Sequence, residues 1–220
     1  MLAHFSGSKA RKKTARKKTR TRKTPARQRF LRGEVLEART LLVGDLDFAQ
    51  VFGSAARDGI TIGEAIAIDG AGNRYVTGSF SSDVDFDFRP SVVQRIQPTG
   101  EANAFVAKYA PDGRLIWLKN IGGTGRVDGK AISVDVNYNV YVAGHFTQTA
   151  DFDPGAGVAN RTSTSAVNTF LLKLTAAGNF AFVATTGAAT NDNSLGLALD
   201  PNGAPVVAGS FTGSAEFDPG

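Results

Sequence analysis

Cysteine is absent from this 220-residue chain. That excludes a disulfide framework, a thiolate zinc site and a cysteine nucleophile, though not export, because many exported proteins lack disulfides. Histidine is nearly absent too, with only His4 and His145. No second imidazole or thiolate is available to build a transition-metal site. A serine triad would have to use His145, and the G-x-S-x-G elbow is missing. No apolar run approaches the ~20 residues of a membrane span. No apolar stretch of about 7–15 residues follows the N-terminal charges, as a standard signal peptide requires. No segment keeps a helical apolar period.

Acidic residues are missing from positions 1–33, which hold thirteen of the 25 Lys and Arg; the first acid is Glu34. The rest carries 12 basic residues against 20 acidic ones. The net charge of +5 therefore describes a basic leader over 1–45, and charge blocks of this kind are normally disordered. The leader has no zinc ligands, and its only aromatics before residue 46 are Phe5 and Phe30. Nothing in it stacks on or reads bases, so no specific nucleic acid is expected. A solvated targeting segment that touches anionic lipid or export machinery fits it better.

From residue 46 the composition turns globular, and the chain repeats. GEAIAIDGAGNRYVTGSF from Gly63 aligns with GKAISVDVNYNVYVAGHF from Gly129 and with LGLALDPNGAPVVAGSF from Leu195. Asp69, Asp135 and Asp200 correspond, as do Gly78, Gly144 and Gly209, and Phe80, Phe146 and Phe211, at steps of 66 and 65. A second half-motif keeps the same register: Lys108 matches Lys173 and Gly113 matches Gly178. A fixed period means one structural unit used repeatedly.

Each unit reads as four short strands, expected in the first at 65–69, 74–80, 105–109 and 115–120, with hairpin turns at Gly72–Asn73 and Pro111–Gly113. Four strands per repeat and no helix predict an all-β fold, an incomplete β-propeller of about two and a half four-stranded blades. Blades are expected over 63–122 and 129–187, with a partial blade over 195–220. Residues 46–53, LDFAQVFG, resemble LIWLKNIG from Leu115 and read as an orphan final strand. The domain is thus 46–220, and the chain reads as a fragment with an unpaired edge.

One acidic element recurs: Asp83, Asp85 and Asp87, then Asp151 and Asp153, then Glu216 and Asp218. Clustered carboxylates favour Ca²⁺, so Asp85, Asp87, Asp151, Asp153, Glu216 and Asp218 are the candidate metal ligands, with Ca²⁺ the one cofactor suggested. The competing reading is that these carboxylates cap turns by accepting backbone N–H groups. The element lacks the glycine and distal glutamate of an EF-hand loop. The intervening Phe86, Phe152 and Phe217 would anchor it inward. The glycine-rich 122–129 leads into another strand, not a helix, so it reads as a flexible inter-blade connection instead of a phosphate loop. His145 stands where Ser79 and Ser210 stand, so it is no scaffold residue. Trp117 stands where Phe182 stands and reads as core.

The repeat resembles the bacterial β-propeller repeats labelled SBBP, through D-x-x-x-N-x-Y-V-x-G-x-F (Asp69 to Phe80, Asp135 to Phe146), the D-F-D element and F-x-x-K-x-x-x-x-G. The third unit departs, with Ala204 and Val206 in place of Asn and Tyr. The leader resembles the LEPR-XLL motif of large exported planctomycete proteins, as Leu36-Glu37-Ala38-Arg39-Thr40-Leu41-Leu42, with Ala38 for the usual Pro. The resemblance implies an extracellular or cell-surface destination. Repetition without a unique chemical constellation predicts no enzyme, but a binding or structural module for an extracellular protein or glycan. The alternative is a piece of a polysaccharide-active hydrolase or lyase whose active site lies in other blades.

Overall fold

A computed structural model describes residues 53–54, 59–87, 89, 92–186 and 193–210. The leader, the expected strand before Gly53, Glu216 and Asp218 lie outside the described residues. Fifteen strands and no helix occur among the described residues. They are β1 (Gly53–Ser54), β2 (Thr61–Ile68), β3 (Arg74–Phe80), β4 (Val84–Asp85), β5 (Arg95–Ile96), β6 (Asn103–Tyr109), β7 (Leu115–Gly123), β8 (Val127–Val134), β9 (Val140–Phe146), β10 (Thr149–Asp151), β11 (Asn160–Thr162), β12 (Asn168–Leu174), β13 (Phe180–Thr185), β14 (Asn193–Leu199) and β15 (Pro205–Ser210).

Strands β2, β3, β6 and β7 pair in that order as antiparallel neighbours and form blade 1. Strands β8, β9, β12 and β13 repeat the order as blade 2, and the hairpin β14–β15 is the first half of the next unit. The fold is an all-β, incomplete β-propeller. The units match in register down to their irregularities. The first hairpin of each slips past one residue, between Gly63 and Ala65, between Gly129 and Ala131, and between Ser194 and Gly196. The second hairpins slip after Lys108 and Lys173. A β-bulge adds local twist, so a bulge kept at one position twists each blade alike.

The aspartate that opens each first-hairpin turn explains the D-x-x-x-N-x-Y pattern. One oxygen of Asp69 accepts the N–H groups of Ala71 and Asn73, both at 2.9 Å. Its other oxygen accepts the Asn73 amide at 2.8 Å and the Tyr75 hydroxyl at 2.9 Å. Asp135 repeats this with Asn137, Asn139 and, at 3.5 Å, Tyr141. Asp200 keeps the two backbone bonds, to Asn202 and Ala204, both at 2.8 Å. Without Asn and Tyr at 204 and 206, the third turn lacks those two side-chain bonds, and the Asn202 amide reaches the other Asp200 oxygen at 3.5 Å. Burial alone would raise the Asp69 and Asp135 pKa values, but these hydrogen bonds outweigh it and lower both. The left-handed turn position is held by Gly72 and Gly203 at φ 79° and 82°, and in blade 2 by Tyr138 at φ 65°, which a side chain adopts only against strain.

Each blade buries an aromatic triad. Phe80, Phe86 and Phe105 meet with centroids 4.7–6.4 Å apart. Phe146, Phe152 and Phe170 do the same at 4.9–6.4 Å. Phe86 and Phe152 have no exposed surface, and burying a phenylalanine fully is worth about 1.5–3 kcal/mol. The rings sit tight because Gly144 lies under Phe170 and beside the Asp128 carbonyl, where a Cβ would collide with both. Blades stack through their first strands: β8 packs on β2 and β3, and β14 on β8 and β9. Tyr75, Ala104 and Val106 of blade 1 join Ile132, Val142 and Leu172 of blade 2 in one core. The Trp117 indole N–H crosses the seam to the Ala176 carbonyl at 3.3 Å.

Candidate functional site

The repeated acidic elements are short strands, a feature the sequence pattern did not suggest. Strand β4 pairs with β1, setting Asp85 opposite Gly53, and β10 pairs with the end of β7, setting Asp151 opposite Gly122. Among the described residues, both full units thus clasp the strand that precedes them in the chain, at Gly53 and at Gly122. Strands β5 and β11 complete the clasp from the outer side, at Arg95 and Asn160. Phe86 and Phe152 follow directly and plug the core.

The carboxylates act within these clasps. Asp85 accepts the N–H groups of Asp87 and Gln94 on one oxygen, at 3.1 and 3.0 Å. Asp151 accepts those of Asp153 and Ala159, at 3.0 and 2.8 Å. Asp153 takes the Gly155 N–H at 2.8 Å. Asp87 takes the Arg89 N–H and, on both oxygens, the Arg89 guanidinium at 2.9 and 2.6 Å; that side-chain pairing, against the opposing effect of burial, lowers the Asp87 pKa. Among the described residues no three His, Asp or Glu side chains group so as to hold a metal ion. Turn capping and the Asp87–Arg89 ion pair account for every hydrogen bond described at these four aspartates.

A different cluster breaks the repeat. The segment 122–129 is not a flexible connection along its length: β7 runs to Gly123 and β8 begins at Val127. Only Thr124, Gly125 and Arg126 link the strands. Thr147 holds this link from both sides, its hydroxyl accepting the Arg126 N–H at 2.9 Å and its own N–H donating to the Arg126 carbonyl at 2.9 Å. That aims the Arg126 guanidinium at Asp128, with Nε at 2.5 Å and Nη2 at 2.8 Å. Directly across the ladder, His145 Nε2 lies 3.0 Å from the same carboxylate. The Ser79 hydroxyl of blade 1 also bonds to it. Asp128 is fully buried. Burial would raise its pKa, yet the hydrogen bonds from His145, Arg126 and Ser79, with the Arg126 charge, hold it far below the usual carboxylate range. Arg126 stays half-exposed, and His145 Nδ1 is buried with no partner among the described residues.

The matching positions in the first unit are Ile60, Ile62 and Ser79, and in the third Asn191, Asn193 and Ser210. Among the described residues, this ionic cluster occurs at the seam between blades 1 and 2 and not at the other matching positions. It lies at the end of the blades where the inter-strand connections run, opposite the hairpin turns of Asp69, Asp135 and Asp200. What the cluster offers at the surface is one anchored guanidinium.

No family model matches the chain. It is similar to an uncharacterized WD repeat-containing protein of Acanthamoeba polyphaga mimivirus, 28% identical over 118 residues, covering 47% of this chain and 8% of that protein. It is also similar to the regulatory protein FlaEY of Caulobacter vibrioides, 26% identical over 124 residues, covering 54% of this chain and 13% of that protein. The chain thus spans only a small part of either relative's length. The described blades give the chain the all-β fold of an incomplete β-propeller, and the similarity to a WD repeat-containing protein agrees with repeated units.

Two features of this β-propeller were not found by reading the sequence. The clasp strands are two or three residues long, too short to show alternation. Asp128 was hidden inside a glycine-rich string. The signal that would have found it is the departure from repeat register at His145, which pairs with it.

Proposed function

We propose that the chain is a non-catalytic binding or display module of an exported protein, and that the connection-bearing end of its blades receives an extracellular protein or glycan. The observation that carries this reading is the contrast between the two ends. The hairpin-turn end repeats the same aspartate turn three times. At the other end the connections 81–102 and 147–167 share little beyond the D-F-D clasp, and the Arg126–Asp128–His145 cluster occurs once. Invariant positions are spent on packing and turns, so recognition falls to residues that vary from unit to unit. Support for export comes from the LEPR-XLL-like stretch after the basic leader, which would contact anionic lipid or export machinery.

The test is a screen of the full chain on glycan and protein arrays, followed by Arg126→Ala and, at the opposite end, Asn202→Ala. Binding lost with Arg126→Ala and kept with Asn202→Ala supports the reading. Polysaccharide cleavage by the full chain, abolished by Arg126→Ala, overturns it in favour of a hydrolase or lyase. Fractionation of the native cells should find the chain at the surface or in the medium; retention in the cytoplasm removes the export part.

A further inference from the structure

Two departures from the repeat meet at one spot on the connection-bearing end. Arg126 stands where the first unit has Ile60, and Gln148 where it has Ser82. The ladder that pairs Asp128 with His145 runs on through Arg126 and Thr147, which exchange two hydrogen bonds. Gln148 comes next, its Cβ 3.1 Å from where a Cβ on Gly125 would stand. It is exposed and has a left-handed backbone, φ 57°. A glutamine holds that conformation against strain, and strain of this kind gathers at ligand clamps. Its carboxamide has no hydrogen-bond partner among the described residues.

Arg126 presents hydrogen-bond donors without presenting a net charge. Of the five N–H donors of a guanidinium, Asp128 takes two, through Nε and Nη2. Nη1 has no partner among the described residues, and 43% of the side chain is exposed. Hydrogen bonding to Asp128 raises the Arg126 pKa against the opposing effect of burial, and the charges of Asp128, Glu101 and Glu64 add to the rise. The local charges are thus three carboxylates, Asp128, Glu101 and Glu64, against Arg126 and Lys130, which bonds to Glu64. A charge on His145 would only balance the count. An incoming anion meets as much repulsion as attraction. An uncharged oxygen accepting from Nη1 still gains a bond to a charged donor. The residues beside Arg126 are Thr124, Gly125, Thr147, Gln148 and Thr149. None carries a large apolar side chain, so the spot lacks the hydrophobic centre of a protein interface. Hydroxyl and amide groups suit a sugar, whose hydroxyls both donate and accept.

We infer, on the binding role proposed above, that Arg126 and Gln148 form a subsite for a neutral glycan, one without uronate, sulfate or phosphate groups.

The full chain is screened on neutral oligosaccharides of glucose, mannose and galactose, on uronate- and sulfate-bearing ones, and on a protein array; hits are titrated calorimetrically. The expected hit is a neutral sugar. Its affinity should change by less than about twofold between about 0.05 and about 0.5 M salt, since screening acts on charged pairs. Arg126→Ala should weaken it by about tenfold or more, the loss of a hydrogen bond to a charged group. Gln148→Gly is the second arm and decides alone if Arg126→Ala loses the wild-type circular dichroism. Glycine accepts φ 57° without strain, so the melting temperature should hold or rise while the affinity falls by about threefold or more. An acidic glycan bound through Arg126, more weakly as salt rises, overturns the neutral subsite and leaves the binding role standing. Binding to proteins alone does the same. A neutral sugar whose affinity neither substitution changes overturns the subsite too. No binding on any array overturns both the subsite and the binding role.

Discussion

Blades 1 and 2 place the same aromatic triad, the same aspartate turn and the same clasp on matching residues, yet they diverge at the start of their first strands. Where blade 1 has Ile62, blade 2 has Asp128, buried and bound by Arg126, His145 and Ser79. The comparison teaches that the repeat is strict where strands must twist, turn and pack. It is loose at the connection end, where a side chain can change without disturbing the ladder.

The largest effect should come from attacking what the blades share. Phe152→Ala and Phe86→Ala each empty a fully buried site and should each cost about 3–5 kcal/mol in urea unfolding. Equal roles predict losses within about 1 kcal/mol of each other, inside the usual context scatter. A much smaller loss at Phe86 would mean blade 1 is not the equal of blade 2.

The next effect addresses what they do not share. Asp128→Asn removes the negative charge and turns one of the two acceptor oxygens facing Arg126 and His145 into a donor, and should cost about 2–3 kcal/mol near neutral pH, less than a wholly buried pair because Arg126 reaches water. The pH dependence has a definite sign. The folded-state pKa of Asp128 is depressed, so its stabilisation is fully present above the unfolded value of about 3.9 and is lost as pH falls through the folded one. The gap between wild type and variant should be present at pH 5 and narrow below about pH 4. A gap unchanged below pH 4 would show that the carboxylate is not held ionised.

Smaller still is the seam bond from Trp117. Trp117→Phe installs the residue that blade 2 carries at Phe182 and removes the bond to Ala176, for an expected loss of about 0.5–1.5 kcal/mol. The smallest expected effect is none. Chelation of divalent cations should leave the melting temperature unchanged if the aspartates of 83–87 and 151–153 serve as turn caps. A drop on chelation would return them to metal binding, since a ligand that binds the folded state must stabilise it.

Much of the fold was legible before any coordinates. The 65–66-residue step, the Gly at left-handed turn positions and the alternation in segments such as 65–69 each act locally, and local signals survive in a single sequence. The four strands of each full unit fall where that pattern put them. The clasp was not legible, because the partner of Asp151 lies at Gly122, beyond two intervening strands, and a two-residue pairing has no period to read. The acidic element was visible, but its chemistry turned on hydrogen-bond partners such as Gln94 and Ala159, which no spacing rule supplies. His145 stood out as a departure from the repeat; its partner Asp128 did not, since that carboxylate is also bound by Ser79 of another blade.

The central claim is that both full units clasp the strand that precedes them in the chain, in the same register. Backbone nuclear Overhauser contacts in the isotopically labelled full chain test it directly, across Asp85 and Gly53 and across Asp151 and Gly122. The account predicts cross-strand contacts at both pairs, with Phe86 and Phe152 showing the same ring-to-ring contacts to Phe105 and Phe170. Contacts at one pair without the other, or rings in unrelated surroundings, would contradict it.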